Sequence, residues 1–171
     1  MSIRSLIFIV FFTSQGYAAI DHIIAKDSKK NQYIEYGTIS GGESGGSHTL
    51  LGLRRVFAPK DKIERILLDL GDSRGKPLHN KVSYFQVSID KKQRKVVVDL
   101  SQMLASGVSE AVLKNRFKSS PLVKDTKISY DPQDNTITMQ LFLKKNVQVE
   151  AFTLPAKNKP SCIVIDLKEK T

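Results

Sequence analysis

Lys95-Val96-Val97-Val98-Asp99-Leu100 recurs near the end of the chain as Cys162-Ile163-Val164-Ile165-Asp166-Leu167, and the stretches in front of each copy recur with it. Aligning Ala58-Pro59-Lys60-Asp61-Lys62 with Asp131-Pro132-Gln133-Asp134-Asn135 sets an offset of 73 residues, under which Phe57 meets Tyr130, Leu68 meets Leu141 and Leu70 meets Leu143. A shorter connection then brings Val98 onto Ile165. A turn, a strand and a closing motif that return in the same order describe an internal repeat.

Each copy reads as four strands. The first (49–100) places them at 49–57, 63–70, 82–89 and 95–100, the second (122–168) near 123–130, 136–143, 147–154 and 162–167. In 63–70, Ile66, Leu68 and Leu70 share one face and Arg65 and Asp69 the other, the alternation of a half-buried strand. Pro59 and Asp61 supply the fixed φ and the local hydrogen bond of a turn. Phe152 and Leu154 are expected to take the places of Val87 and Ile89.

Between the copies, residues 101–121 change period. Ser109 can cap a helix in which Leu113 and Phe117 lie one turn apart, Lys114 and Arg116 face solvent and Pro121 ends the segment, while Gly107 separates it from a turn around Met103 and Leu104. The expected fold is all-β: two pseudo-symmetric four-stranded sheets, sandwich-like, joined by one short helix. Whether each sheet keeps to one repeat or the repeats exchange strands is open at this level.

The N-terminus reads as export machinery. Arg4, the apolar run Leu6-Ile7-Phe8-Ile9-Val10-Phe11-Phe12 and the small residues of Gly16-Tyr17-Ala18 predict a signal peptide over residues 1–18, cleaved after Ala18, and a periplasmic product. The run is much shorter than the roughly 18–20 apolar residues of a spanning helix, so no membrane span is expected in the mature chain. Residues 19–48 are expected to be a flexible lead-in, with a possible short strand at Gln32–Gly37 and a coil at Ser40-Gly41-Gly42-Glu43-Ser44-Gly45-Gly46-Ser47. His48 and Thr49 follow the glycines where a phosphate-cradling loop needs Lys and Ser or Thr.

Without Arg4, 26 Lys and Arg face 17 Asp and Glu, a net charge of +9. An exported protein so charged meets wall carboxylates and lipid headgroups rather than nucleic acid. Enzyme motifs are thin. His22, His48 and His79 show no ligand spacing, and Cys162 has neither a disulfide partner nor a neighbouring base. No catalytic set, metal or cofactor is expected. Asp99 and Asp166 hold equivalent places at strand ends and read as structural acceptors for the next turn's backbone. Candidate ligand-binding residues are Arg65, Asp69 and Arg94 in the first copy and Thr138, Gln140 and Lys159 in the second, all expected on outer faces or connecting loops.

Asn135-Thr136-Ile137-Thr138-Met139-Gln140-Leu141, then Val149-Glu150-Ala151-Phe152-Thr153-Leu154, then Ile163-Val164-Ile165-Asp166-Leu167, resembles the AMIN domain found in front of bacterial N-acetylmuramoyl-L-alanine amidases and in secretion and pilus secretins. The resemblance covers about residues 49–168. It implies two symmetric four-stranded sheets joined by a helix, peptidoglycan as partner, and a role in placing its protein in the periplasm. An arginine that commonly precedes the Val-x-Asp-Leu strand is matched by Arg94 one place early, and the second copy has Ser161 there. With four residues after Leu167, hydrolytic activity is not carried over. The alternative expectation is an adaptor that contacts envelope proteins of a secretin, pilus or division machine.

Overall fold

Period-two alternation along the chain becomes strands whose inward residues are almost fully buried. The computed structural model describes residues 22–170, so the expected signal peptide lies outside the described part. In chain order the elements are β1 (His22–Ile24), β2 (Gly37–Gly41), β3 (His48–Ala58), β4 (Ile63–Asp72), β5 (Phe85–Asp90), β6 (Lys95–Leu100), β7 (Met103–Ser106), α1 (Glu110–Phe117), β8 (Val123–Asp131), β9 (Thr136–Leu143), β10 (Val147–Leu154) and β11 (Cys162–Glu169). They form a six-stranded sheet, β1-β2-β5-β6-β9-β8, packed on a five-stranded one, β10-β11-β4-β3-β7.

The expected four-stranded sheets are therefore too small, yet a four-stranded unit lies inside each. Exchanging β3 for β8, β4 for β9, β5 for β10 and β6 for β11 turns β5-β6-β9-β8 into β10-β11-β4-β3, so the repeats trade strands and the pseudo-twofold swaps the sheets. The registers obey it as well. Val98 faces Met139 and Val96 faces Leu141 across one seam; Ile165 faces Ile66 and Ile163 faces Leu68 across the other. Even the irregularity repeats: β3 bulges at Leu51 against β4 and β8 bulges at Lys124 against β9, 73 residues apart.

Three added strands account for the difference in size. β1 and β2 extend one sheet beyond β5, and β7 lies parallel to β3 on the other. The lead-in expected to be flexible thus supplies two strands, and the strand expected at Gln32–Gly37 instead begins at Gly37. Gly37 has φ 103°, a left-handed turn that a Cβ would resist, and it swings the chain from Tyr36 into β2. The turn expected around Met103 is β7, too short to show alternation. Gly107 ends it because a Cβ there would lie 2.6 Å from the Leu51 carbonyl oxygen.

One register expectation fails. Ala151 faces Ile165 just as Val87 faces Val98, so Ala151, not Phe152, is the counterpart of Val87. A shift of one residue sends a side chain to the opposite face. Phe152 accordingly packs outside the sandwich with Cys162, Val164, Leu67 and Leu154.

Between the sheets, Ile39, Phe85, Val87, Val98 and Met139 from one side meet Leu50, Ile66, Leu68, Ile163 and Ile165 from the other. The helix closes one end as expected: the Ser109 side chain accepts from the Val112 N–H, and Leu113 and Phe117 are buried. Beneath it the buried Glu64 carboxylate accepts from Arg55 at 2.5 Å and from the Ser120 hydroxyl at 2.7 Å, while Arg55 also donates to the Arg116 carbonyl near the helix end. No described helix is long and apolar enough to cross a membrane.

Leu68 and Leu141 are equivalent core positions on opposite sheets. Leu68→Ala and Leu141→Ala should each cost about 2–5 kcal/mol, and denaturant unfolding of each should remain one cooperative transition, because every sheet contains strands of both repeats. Two separated transitions would contradict the exchanged core.

Candidate ligand-binding face

The two outer sheet surfaces carry equivalent backbones and opposite fates. On the five-stranded sheet, residues 25–36 form a strap along β10: the Ile34 and Val149 amides and carbonyls exchange hydrogen bonds of 2.9 and 2.7 Å, and the Thr153 N–H donates to the Lys26 carbonyl. The strap's Lys30 and Gln32 amides both donate to the Glu150 carboxylate, at 2.7 and 3.2 Å. Lys29 donates to Asp166 at 2.7 Å, and Arg65 donates to both Asp166 oxygens at 2.7 Å. The Arg65 guanidinium also lies 5.6 Å from the Phe152 ring centre.

Burial alone would push the Asp166 carboxyl up, but the hydrogen bonds and charges of Arg65 and Lys29 outweigh it and hold the group below its ordinary range. The strap is fastened at its far end by Glu35, which accepts from Lys170, Lys91 and Gln148. The Lys170 and Lys91 ammonium groups hold the Glu35 carboxyl down at about 2.

The counterparts of Arg65, Asp166 and Glu150 on the six-stranded sheet are Thr138, Asp99 and Gln86, and among the described residues no strap crosses that face. Thr138 donates to Asp99 at 2.6 Å, and Gln86 donates to Ser88 at 3.2 Å. Both aspartates thus bond side chains on the neighbouring strand, Asp99 to β9 and Asp166 to β4, where turn backbone had been expected. Their places at the exchanged seams put a partner directly opposite.

Beside this open face lies a cleft of about 900 Å³ lined by Tyr36, Thr38, Ser88, Lys95 and Val97, with Asp90, Lys91 and Lys92 at the β5–β6 turn. Tyr36 is 51% exposed. Val97 pairs with Gln140 and Asp99 with Thr138, so the cleft runs into the amide and hydroxyl groups of β9. The surface offers an aromatic plate, ammonium groups and neutral donors and acceptors on a rigid sheet.

The six sequence-derived candidates do not converge. Thr138 and Gln140 belong to this open face. Arg65 is committed to Asp166 under the strap, and Asp69 on the same covered sheet receives two bonds from Arg54 at 2.8 and 2.6 Å. Arg94 occupies the β5–β6 turn with φ 49°, its carbonyl accepting from Leu143. Lys159 lies between β10 and β11, where its carbonyl accepts from His79. Tyr36, Lys91 and Lys95 are not among the sequence-derived candidates: Tyr36 sits in a segment with no repeat partner, Lys91 lies between two expected strands, and Lys95 reads as the start of a strand.

Removing the Asp166 charge strands Arg65 and Lys29, whereas removing that of Asp99 affects one neutral donor. Asp166→Asn should cost about 3 kcal/mol, the low end for breaking a buried pair because Arg65 is partly exposed, and Asp99→Asn no more than about 1.5 kcal/mol. A carboxyl depressed in the folded state stabilises the fold above its unfolded pKa. This contribution is therefore complete above pH 3.8 and lost as pH falls below it, and thermal melts of Asp166→Asn should show a shallower acid limb than the parent.

No protein-family model matches the chain, and no curated protein matches it at a significant level.

Proposed function

We propose that this chain is a non-catalytic, exported peptidoglycan-binding module of AMIN-like layout, which holds itself or a partner at the cell wall through the open face of the six-stranded sheet. The observation that carries the reading is the asymmetry of the outer faces. A strap of this chain's own backbone and side chains covers the β10–β11 side of one, and among the described residues none crosses its equivalent beside the cleft.

The chemistry of the bare face suits a wall fragment. A sugar ring presents an apolar side to Tyr36, stem-peptide carboxylates suit Lys92 and Lys95, and hydroxyl and amide groups suit Ser88, Thr138 and Gln140. Net positive charge raises the encounter rate with an anionic wall over a Debye length of about 8 Å. Export through residues 1–18 belongs to the same proposal. An adaptor role is the second reading, favoured by β8, which lies at the margin of its sheet with an edge that pairs with no strand among the described residues and an exposed Tyr130. Lys124 and Lys127 on that strand oppose indiscriminate pairing.

Co-sedimentation with isolated sacculi across a salt series tests the proposal. Ser88→Trp, which fills the centre of the face, should weaken binding at least about tenfold, or 1.4 kcal/mol, while Asp69→Ala on the covered sheet leaves it unchanged. Parent protein that stays in the supernatant at low salt, or equal loss in both variants, defeats it. Crosslinking to one dominant protein after the wall is digested would support the adaptor instead.

A further inference from the structure

A groove of about 360 Å³ between α1 and β8 is lined by Lys114 of the helix, Lys118 just past its end, Lys124 of β8, Lys144 of the β9–β10 turn, Asp125 and Thr126. Four ammonium groups here face one lining carboxylate. Lys114 is paired with Glu110 at 2.6 Å, and the Lys144 ammonium is pinned by donating to the Ser120 carbonyl at 2.6 Å. Lys118, Lys124 and Lys144 form no ion pair among the described residues. Asp125 is turned onto its own backbone, accepting from the Thr126 N–H at 2.8 Å.

Thr126 supplies the independent observation. It is 2% exposed, and its hydroxyl has no hydrogen-bond partner among the described residues. A buried hydroxyl left unpaired is destabilising, and the other repeat avoids the cost with Leu53, at the equivalent position 73 residues earlier. The same comparison holds along the groove. Lys124 is the bulged residue where the first copy has Leu51, and Lys144 stands where it has Gly71. In the first copy a Cβ on Gly71 would meet the Leu51 side chain at 2.7 Å, so that bulge is packed shut. In the second copy the bulged residue is a lysine, and beside it lies a buried, unpartnered hydroxyl.

We infer that this groove is a phosphate-ester site, separate from the open sheet face. Compact ammonium groups suit a phosphoryl group as point charges, whereas planar carboxylate recognition favours an arginine fork, and no arginine lines the groove. The Thr126 hydroxyl donates to one phosphoryl oxygen after a small local adjustment, while Lys118 and Lys124 neutralise the others. A volume of about 360 Å³ exceeds one phosphate and leaves room for the sugar or glycerol that carries it.

The phosphate ester has two sources, a soluble or wall-linked phosphorylated glycan or polyol and an anionic lipid headgroup. Titrating the purified chain with glycerol 3-phosphate, and separately with phosphatidylglycerol vesicles, at about 0.15 M ionic strength distinguishes them. Saturable binding to glycerol 3-phosphate alone assigns the soluble source, and binding to the vesicles assigns the headgroup. In the arm that binds, Lys118→Ala with Lys124→Ala should weaken affinity at least tenfold. Thr126→Val should weaken it severalfold while raising the melting temperature, a pairing that a purely structural role does not produce. Lys30→Ala with Lys157→Ala removes the same charge elsewhere and should change nothing. Saturation in neither arm, equal loss in the control pair, unchanged binding in Thr126→Val, or equal affinity for acetate would overturn the assignment.

Discussion

The antiparallel pairing of each repeat's last strand with the other repeat's second strand is the constraint on which everything else rests. Val96 and Val98 meet Leu141 and Met139 across one seam, and Ile163 and Ile165 meet Leu68 and Ile66 across the other. Neither repeat alone completes a four-stranded sheet, and neither sheet buries its apolar face without the other. The seams carry the two closing-motif aspartates as well. Asp99 reaches Thr138 and Asp166 reaches Arg65, so each closing motif is joined by a side-chain bond to the strand borrowed from the other copy. Polar pairs of this kind add little net stability compared with apolar packing, but an incorrect register would leave a buried carboxylate unpaired.

The strap answers a feature of the second repeat's own last hairpin. Pairing of β10 with β11 places Glu150 and Asp166 side by side on one outer face, in register on neighbouring strands. Two carboxylates that close repel unless cations and amide donors intervene. Lys29, Arg65 and the strap amides of Lys30 and Gln32 supply them. On the opposite sheet the corresponding Gln86 is neutral, so no equivalent demand draws a segment across the surface, and that face remains open.

The helix and strands such as β4, β5, β6 and β9 were legible because each states its burial in its own spacing: Ile137, Met139, Leu141 and Leu143 inward at every second residue, Leu113 and Phe117 one turn apart. What was not legible depended on partners. Ser40 and Gly41 look like linker composition, yet Gly41 packs close to Ala25 and Phe85, where a side chain would clash. Phe152 was placed by apolar character, and only its pairing with Val164 shows that it faces outward. The strand exchange left no local mark, since alternation reports which side of a strand is buried and not which neighbour lies beside it. The candidate cleft was hidden for the same reason, because Tyr36 and Lys95 come from different parts of the chain and meet only across β2, β5 and β6.

Comparing the copies separates what the fold requires from what it permits. Positions that remain alike, Leu68 with Leu141, Ile66 with Met139 and Asp166 with Asp99, are those that pair across the seams or face the core. Positions that differ in chemistry are Arg65 with Thr138, which meet the two aspartates across the seams on the outer faces, Leu51 with Lys124 at the bulge, and Leu53 with Thr126 beside it. A duplicated sandwich starts with two equivalent copies of every surface, and folding demands only that the inner halves stay complementary. One outer face was then closed by the chain's own strap while its twin stayed open, and one bulge was packed with leucine while its twin took on lysine. The substitutions that break the symmetry are therefore where binding chemistry can differ between the copies without loosening the shared core.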